Sequence, residues 1–515
     1  MRLSIVALVA LLLAPGVLAL QPLPPAAPRV AGGFTVALLA PVAGPTALAF
    51  GPGGPDLYAT TLTGDVQRVP LTWTPAGPVA SGAPSTVASG FAQPLGVAFG
   101  PDGAMYVSDS HLNPASGRTD GYVTRIDLAG SRVVVDGLPN GRHNTNHLRF
   151  APDGRLAIAN GNSNDDGVSG GSADAFPYSG ALLTVDAAQV SASPAILRWT
   201  DANGSPLDAG AVAADPGNAD FASKVQVLAH GFRNVFGVAW SSDGTAYTAM
   251  NGPDTFPQDA QDALFKVAPG TDYRYPFCFN QGSDAGTDVA TANNPLFPGA
   301  DCAGIPHATA LLGWHVCATG LDVAPAGSAF GRAAFVAECG PFFPDPQDHG
   351  LSTQDTGHKV ARVALDAHGD ATEVDDFLTG LALPTDALFG PDGALYVADA
   401  AGVYRVAPVQ APAATVTVEA VGTQFAPAAL VIPAGTTVQW QTPAIAHTVT
   451  TAASLDDARA GHGNDPLNRD GNPDTFSLGL APNQAATHTF LTPGTYYYYC
   501  AFHVGAGMVG VVEVV

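Results

Sequence analysis

The sequence predicts an all-β protein whose larger part is a six-bladed β-propeller. Its 515 residues include 59 Gly and 44 Pro, with 46% hydrophobic and only 12% charged residues. This composition indicates a turn-rich chain with enough apolar material for a core. No helical periodicity of useful length is present, and one turn motif recurs along residues 30–407. A chain of this length is expected to hold two or more domains, or one repeat architecture plus a small domain.

The repeat consists of an apolar strand that ends in an aromatic residue, a Pro-Asp-Gly turn, and a short strand that ends in Tyr-Val. Asp-Gly favours the positive φ of a tight turn, so each copy predicts a β-hairpin. A further strand follows most copies, which gives four strands per blade. A pair of β-sandwiches would not explain the repeated turn. The six copies lie at residues 50–54, 99–107, 150–154, 240–244, 323–327 and 389–397.

The first nineteen residues are typical of a signal peptide. Arg2 supplies the positive charge, residues 5–13 the apolar region and residues 17–19 a small-residue cleavage site. The apolar stretch is too short to span a bilayer before Pro15. We therefore expect a secreted or periplasmic protein with no membrane insertion.

The charge balance excludes some partners. The formal net charge is −24, with only 20 Lys and Arg residues. Binding to a phosphate backbone depends on clustered cations, so nucleic acid is not an expected partner. An anionic membrane surface is disfavoured for the same reason. A small-molecule partner fits this composition better.

The last part of the chain carries the strongest chemical signal. Cys500, His503 and Met508 lie on one glycine-rich loop, and they are three of the four side chains of a blue-copper site. The fourth, a histidine, is expected upstream, and His447 follows a strand-like run at 436–440. A lone Cys is usually a small buried hydrophobe, but the joint pattern is much rarer. We predict a type 1 copper site at these four residues.

Residues 414–515 also resemble plastocyanin and its cupredoxin relatives. The likeness includes the loop at 505–510, the tyrosines at 496–499, and the turns at 425–427 and 432–435. It implies a Greek-key β-sandwich with copper at one end. Residues 408–413, rich in Pro, then predict a short stiff linker between the two domains.

The cysteine count fits an exported protein. If Cys500 binds copper, four of the five cysteines are left, which suggests two disulfides in an oxidising compartment. Sequence alone permits three pairings. Chain order favours Cys278 with Cys302 and Cys317 with Cys339.

Three stretches of the propeller region are rich in polar side chains. Residues 142–150 precede the third repeat and are expected to line one end of the central channel. Residues 231–237 include Arg233 and Asn234, whose guanidinium and amide donors suit a polyanionic ligand. Residues 251–254, Asp262 and 269–276 form oxygen-rich turns that suit Ca²⁺.

At these stretches the chain resembles the soluble quinoprotein glucose/sorbosone dehydrogenases, which bind pyrroloquinoline quinone. The resemblance implies that His143 is the catalytic base, that Arg233 is catalytic, and that Asn234 contacts the cofactor. A match at 357–363 places Lys359 at a quinone carboxylate. The same resemblance implies calcium ligands at Gly252, Pro253 and Asp262.

The chain departs from that family at several positions. Ala263 replaces the second residue of an acidic pair, Val235 replaces a proline, and 273–275 read Tyr-Arg-Tyr. His147, Trp314 and His315 are expected to shape the channel, whereas His349, His462 and His488 are expected to be solvated.

Together these features predict an exported quinone-dependent sugar or alcohol dehydrogenase. It would pass electrons to its own copper domain and then to a downstream acceptor. The alternative is a propeller that only binds, joined to a copper domain that carries electrons for another enzyme.

Overall fold

The computed structural model describes residues 27–515 except 53–55, 75–76, 114–117, 165–167, 170–171, 174–177, 202, 204, 206, 254–259, 283–284, 342–355, 410–414, 464–473 and 493. The predicted signal peptide and most of the predicted linker lie outside the described residues. The chain forms two compact units. The larger is drawn from residues up to Pro408 and the smaller from Val409 onward.

The described part of the larger unit contains six mainly antiparallel sheets of four or five strands, as many as the repeats in the sequence. Among these described strands, parallel pairing occurs only at the outer strands of two of the sheets, where Ala195–Ile196 and Thr271–Asp272 are added. We number the sheets 1 to 6 along the chain by the edge strand that precedes the repeated turn, and we call that edge strand the first strand of its sheet. Sheet 1 comprises Pro45–Phe50, Leu57–Thr61, Asp65–Val69 and Ser85–Ser89. Sheet 2 comprises Gly96–Phe99, Met105–Asn113, Arg118–Asp127, Gly130–Pro139 and Ala195–Ile196. Sheet 3 comprises Thr145–Phe150, Leu156–Asn160, Ala181–Val185, Val225–His230 and Thr271–Asp272.

The remaining sheets of this unit follow the same order. Sheet 4 comprises Asn234–Trp240, Ala246–Asn251, Asp262–Lys266 and Ala310–Gly313. Sheet 5 comprises Ala318–Val323, Ala333–Glu338, Lys359–Leu365, Ala371–Thr379 and Arg29–Val30. Sheet 6 comprises Asp386–Phe389, Leu395–Asp399, Gly402–Pro408 and Phe34–Ala40. Short two-stranded pairs lie outside them at Leu71–Thr74 with Gly77–Ala80, Val168–Ser169 with Ser172–Ala173, and Cys278–Gln281 with Ala290–Asn293.

In sheets 2 to 6 the repeated turn joins the first strand to the second, and in sheet 1 part of this turn lies outside the described residues. Gly103, Gly154, Gly244 and Gly393 all have positive φ, between 68° and 86°. At the third position of these turns glycine has no Cβ to clash, so the chain can reverse tightly. The predicted hairpins are therefore confirmed.

Buried side chains pack between consecutive sheets. One cluster joins sheets 2 and 3, with Leu156 and Ile158 on that face, and the next joins sheets 3 and 4, with Ala157 and Ala159. This alternation follows from the two-residue period of a strand. Further clusters join sheets 4 to 5, 5 to 6, 6 to 1 and 1 to 2. The six interfaces close a ring, as a propeller requires.

The ring is closed by a strand from the start of the described chain. Phe34–Ala40 pairs with Gly402–Pro408 in antiparallel register, with Phe34 opposite Pro408. The outer strand of sheet 6 therefore comes from the opposite end of the unit. Since both ends share one set of backbone hydrogen bonds, opening the ring would require breaking this strand pair.

Helices are short among the described residues. Three of them, Ala187–Ala192, Ala209–Ala214 and Ala219–Lys224, lie between the third and fourth strands of sheet 3, with a 3₁₀ turn at Pro216–Asn218. Both favoured disulfides are present, Cys278–Cys302 and Cys317–Cys339. No helix in the described chain is long and apolar enough to cross a membrane.

The smaller unit contains two sheets. One comprises Gln424–Ala426, Thr415–Val421, Thr437–Gln441 and Ala485–Thr489; the other comprises Ala429–Ile432, Val509–Val514, Gly494–Tyr499, His447–Ala452 and Ser477–Leu480. A helix at Leu455–Ala460 and a 3₁₀ turn at Val504–Ala506 complete it. Trp440, Phe490 and Tyr498 are among the side chains of a shared core, which makes this unit a β-sandwich.

Candidate copper centre and polar site of the propeller

The copper candidates are brought together by two neighbouring strands. His447 begins the strand His447–Ala452, and Cys500 directly follows the strand Gly494–Tyr499. These strands pair antiparallel, with Thr450 opposite Tyr499. The pairing places the start of one strand beside the end of the other. This is why side chains 53 residues apart can meet.

The three donor side chains converge. The Sγ of Cys500 lies 3.6 Å from the Nδ1 of His447 and 3.3 Å from the Nδ1 of His503. Their ligand atoms all lie within 4.8 Å of one another. Both imidazoles therefore turn the same nitrogen toward the thiol. One thiolate and two imidazoles form the trigonal set that suits copper in both oxidation states.

The loop after Cys500 is held by backbone hydrogen bonds. The Cys500 amide donates to the Met508 carbonyl at 3.1 Å, and the Met508 amide donates to the His503 carbonyl at 3.3 Å. Met508 is only 1% exposed and belongs to the same apolar cluster as Cys500. The predicted axial ligand is therefore buried on the loop that carries two of the other three.

Two contacts from Thr448 hold the thiol in place. Its amide lies 3.4 Å from the Cys500 Sγ, and its Oγ1 accepts a hydrogen bond from the Ala501 amide at 2.7 Å. Cys500 is fully buried and is the one cysteine outside a disulfide among the described residues. Burial, with the charge of His503, lowers the pKa of His447. A neutral imidazole is the form that binds metal.

The other two histidines of the smaller unit, His462 and His488, differ in their surroundings. His462 is exposed and lies 3.8 Å from Asp457, as expected of a solvated loop residue. His488 was expected to be solvated, and that expectation is wrong. It stacks on Phe476 with ring centroids 4.1 Å apart, and its Nε2 lies 2.9 Å from the buried Asp474 carboxylate. His349 lies outside the described residues.

In the larger unit, His143 and Asn234 lie close together. A Cβ on Gly161 would stand 2.5 Å from the His143 Cβ and 2.6 Å from the Asn234 Oδ1. His143 precedes the first strand of sheet 3, and Asn234 begins the first strand of sheet 4. First strands begin at the same end of a propeller. The structure thus brings two of the predicted site residues to one end of the ring.

His143 is held in a defined tautomer. It is 6% exposed, and its Nδ1 lies 2.7 Å from the Asn162 carbonyl oxygen. A carbonyl only accepts, so Nδ1 carries the proton and Nε2 of the neutral ring carries the lone pair. This is the arrangement of a general base with an orienting partner.

Two further amide side chains contact Asn234; Asn146 was expected only to line the channel and Asn251 only to belong to an oxygen-rich turn. The Asn146 Nδ2 donates to the Asn234 Oδ1 at 3.0 Å, and the Asn234 Nδ2 donates to the Asn251 Oδ1 at 2.9 Å. All three are buried. Their common signal is position, because each lies at the start of a first strand or the end of a second strand. A polar side chain at that register could have been sought in every repeat.

Arg233 is buried beside these amides. Its side chain is 4% exposed, and its Nη1 lies 3.5 Å from the Asn251 carbonyl oxygen. Burial is the largest effect on the pKa of the Asp262 carboxyl, which is raised to about 6 although the positive charge of Arg233 is among the influences that lower it. Arg233 therefore supplies a desolvated cation at this end of the ring.

The residues predicted to bind calcium do lie together, but their oxygens hold the backbone. The Asp262 Oδ1 accepts the Gly252 amide at 2.8 Å, and its Oδ2 accepts the Ala318 amide at 3.0 Å. The Pro253 carbonyl accepts the Ala260 amide at 2.9 Å. The hydrogen bond from the Ala318 amide ties sheet 4 to sheet 5. The geometry favours a structural role for Asp262.

Lys359 is already engaged by two acids. Its Nζ lies 2.5 Å from the Asp376 Oδ1 and 3.6 Å from the Glu338 Oε2. Sequence reasoning missed Glu338, which is 0% exposed. Its signal was an acid at the end of an otherwise apolar strand, directly before Cys339.

His147, which was expected to shape the channel, lies close to the carboxyl group of Asp386 on sheet 6. Its Nε2 lies 3.5 Å from the Asp386 Oδ1, and both side chains are buried. Burial, with the charge of Arg149, lowers the pKa of His147 to about 3. A Cβ on Gly320 would touch both side chains, at 2.7 Å and 2.2 Å. Sheets 3 and 6 thus meet near the axis through this pair.

The family model of copper binding proteins of the plastocyanin/azurin family matches residues 412–515. This part of the chain is a copper-binding domain. Its sandwich and its converging cysteine and histidines agree with that assignment.

The larger unit shares its fold with solved sugar oxidoreductases. It is similar to the aldose sugar dehydrogenase from Escherichia coli in the apo-form, at 19% identity and a TM-score of 0.50, covering 73% of this chain and 100% of that one. It is also similar to the pyranose dehydrogenase PQQ domain from Coprinopsis cinerea, in its holo form, at 16% identity and 0.53, covering 74% and 96%. A Trichoderma reesei enzyme of family AA12, in a calcium structure, matches at 18% and 0.53, covering 75% and 98%.

The donor sets fit the two implied cofactors to different degrees. The copper-binding domain presents a thiol and two imidazole nitrogens that fit copper. The propeller presents His143, Asn234 and the cations Arg233 and Lys359, which suit an anionic quinone. Against these stand the buried acids Asp262 and Glu338. An anionic quinone therefore fits best when Glu338 is protonated.

Proposed function

We propose that this protein is an exported, quinone-dependent sugar or alcohol dehydrogenase that delivers electrons to its own copper-binding domain. One observation carries the proposal. His143, oriented by the Asn162 carbonyl, lies beside Asn234 at one end of a propeller whose chain also carries the set His447, Cys500 and His503. For such a reaction this chain would supply the base and the one-electron carrier, and the bound quinone would accept the two electrons of the substrate.

His143 would remove the hydroxyl proton of the substrate. Its Nε2 is the basic nitrogen while Nδ1 is held by the Asn162 carbonyl. General-base catalysis of this kind is worth about 10²–10⁴ in rate. This proposed base is buried.

Arg233 and Asn234 would hold the cofactor by donating hydrogen bonds to its oxygens. A buried guanidinium binds carboxylate and carbonyl oxygens more strongly than a solvated one, because water does not compete. The chemistry that a bound quinone supplies is the two-electron oxidation of a carbon–hydroxyl group. Calcium, if bound by Asp262, would share the carboxylate oxygens with the backbone amides of Gly252 and Ala318.

The copper site is proposed to be type 1, with His447, Cys500, His503 and Met508 as ligands. It would take one electron at a time and pass it to a downstream acceptor. A covalent tether raises the local concentration of an electron acceptor to the order of millimolar. We also propose that residues 1–19 direct export, which agrees with the two disulfides.

The deciding experiment combines the two halves. The copper-loaded protein is incubated with pyrroloquinoline quinone and Ca²⁺, and aldoses and alcohols are then added without dye. Bleaching of the copper absorption by one of them, in quinone-loaded protein only, supports the proposal. Turnover with an artificial dye by the Cys500→Ala variant should persist. No turnover on any aldose, polyol or alcohol would overturn the dehydrogenase.

The second candidate is a propeller that only binds, with the copper domain serving another enzyme. The buried acids Asp262 and Glu338 favour it, because they oppose an anionic cofactor. In that case copper would still cycle with an external donor, while the propeller would show no turnover.

A further inference from the structure

Glu338 ends the second strand of sheet 5. It stands opposite Ala318, the first residue of the first strand, and opposite Lys359, the first residue of the third strand. Asn251 has the same place in sheet 4, opposite Asn234. Glu338 is therefore at the same end of the ring as the proposed site. Where sheet 4 has an amide that bonds its neighbours, sheet 5 has a carboxyl.

The surroundings of Glu338 are poor in hydrogen-bond donors. Its side chain is 0% exposed, and neither carboxyl oxygen has a hydrogen bond within the described residues. Among the described residues, the cation that acts on it is Lys359, at 3.6 Å, on the neighbouring strand. The other charged groups that act on it are Asp376, on the fourth strand of sheet 5, and Asp262, on sheet 4.

These contacts favour a protonated Glu338. An ionised carboxylate without hydrogen bonds is costly to bury, and two neighbouring acids add repulsion. Burial, followed by the charges of Asp262 and Asp376, raises the pKa of Glu338 to about 8, although Lys359 opposes the shift. Glu338 is therefore expected to gain or lose its proton slightly above neutral pH.

The state of Glu338 decides what Lys359 can offer to a ligand. With Glu338 ionised, one lysine stands between two negative charges, and the group carries a net charge of −1. With Glu338 protonated, only Asp376 opposes the lysine, and Asp376 is 57% exposed. Solvent screens an exposed charge much more than a buried one.

We propose that Glu338 is an electrostatic gate at Lys359, so that a carboxylate-bearing ligand binds there together with a proton on Glu338. Such a ligand competes with ionised Glu338 for the same ammonium group. For the quinone, the inference rests on the proposed function. It adds that ligand affinity falls as pH rises, and that Glu338 is the residue responsible.

The test is calorimetric binding of pyrroloquinoline quinone to the full-length protein, from pH 6.5 to 9.5, in two buffers of different ionisation enthalpy. With a pKa of about 8, one linked proton predicts uptake of roughly 0.9 proton per ligand at pH 9, and a dissociation constant roughly tenfold higher at pH 9 than at pH 7. Both effects are measured on the wild-type protein, so they do not depend on a variant that folds.

Two variants locate the effect. Glu338→Gln keeps the shape and should bind at pH 9 as tightly as at pH 7, without proton uptake. Asp376→Asn removes the other partner of Lys359 and should keep the uptake close to one proton per ligand at pH 9, because a lower Glu338 pKa leaves that carboxyl ionised at this pH before the ligand binds. Binding without proton uptake, or uptake that persists in Glu338→Gln, would overturn the gate alone. Absence of quinone binding at every pH would overturn the gate and the proposed function together.

Discussion

The Nδ1 of His447 lies 3.6 Å from the Sγ of Cys500, and the Nδ1 of His503 faces the same sulfur at 3.3 Å. Cys500 is fully buried, His447 nearly so and His503 partly. The hydrogen bonds of the loop and the adjacent strand hold this arrangement. A thiol and two imidazole nitrogens held in this way form a fixed donor set, and a fixed set limits the reorganisation that follows a change of oxidation state.

This geometry predicts a blue oxidised protein. Cu(II) loading should produce intense absorption near roughly 600 nm from the thiolate of Cys500, as a His₂Cys site does. Cys500→Ala should abolish the band, and His447→Ala should disrupt it. His462→Ala, at an exposed histidine of the same unit, should leave the band intact. A colourless protein after loading would rule out a type 1 site.

The orientation of His143 predicts a catalytic defect that spares binding. His143→Ala should lower kcat by about 10²–10⁴ while the quinone still binds, because general-base catalysis is lost. Steady-state rates and cofactor titration measure the two effects separately. His230→Ala, at a half-exposed histidine of sheet 3, is the matched control. An unchanged rate in His143→Ala would exclude this residue as the base.

Arg233 should matter for both binding and rate. Arg233→Ala removes a buried charge-assisted donor, so it should weaken quinone binding and lower turnover together. Arg233→Lys keeps the charge without the planar fork of donors and should recover only part of the affinity. Equal binding by wild type and Arg233→Ala would place the cofactor elsewhere.

The disulfide Cys278–Cys302 closes a long loop in the larger unit, with a sequence separation of 24. Replacing both cysteines by Ala should lower the free energy of unfolding by about 3 kcal/mol in the chain-entropy model. Denaturant unfolding of the double variant against wild type measures this. Peptide mapping without reduction should recover this pair and Cys317–Cys339. Free thiols at all four positions in secreted protein would contradict both bonds.

Asp474 predicts a pH-dependent contribution to stability. Burial alone would raise its pKa, but hydrogen bonds from His488 and the amides of Thr492 and Leu491 lower it overall. A lowered carboxyl pKa stabilises the fold above the unfolded value of 3.8, and the gain is lost as pH falls through the folded value.

Asp474→Asn should therefore lower the free energy of unfolding at pH 7 by about 1–3 kcal/mol, the cost of a lost buried hydrogen-bond acceptor. The difference from wild type should shrink as pH falls below 3.8. Asp456→Asn, at a largely exposed acid of the same unit, is the control and should change little. A difference that does not vary with pH would exclude the ionised carboxylate as the cause.

Local patterns in the sequence determined the elements of both domains. The Pro-Asp-Gly turns and their apolar flanks predict the hairpins that open the sheets, since turn conformation and strand alternation depend on near neighbours. The spacing of Cys500, His503 and Met508 within one loop places three candidate ligands together for the same reason. The disulfide partners were also favoured correctly, from chain order.

Tertiary structure alone decided what distant residues do to each other. Lys359 was predicted to contact a ligand, yet its ammonium group lies beside the carboxyl groups of Glu338 and Asp376. These two acids lie on the strands on either side of the strand that carries Lys359. His488 was expected in solvent, yet it meets Asp474 and Phe476. The oxygens of Asp262 hold two backbone amides. Burial and pairing across strands set these pKa values and partners, and both depend on residues far apart in the chain.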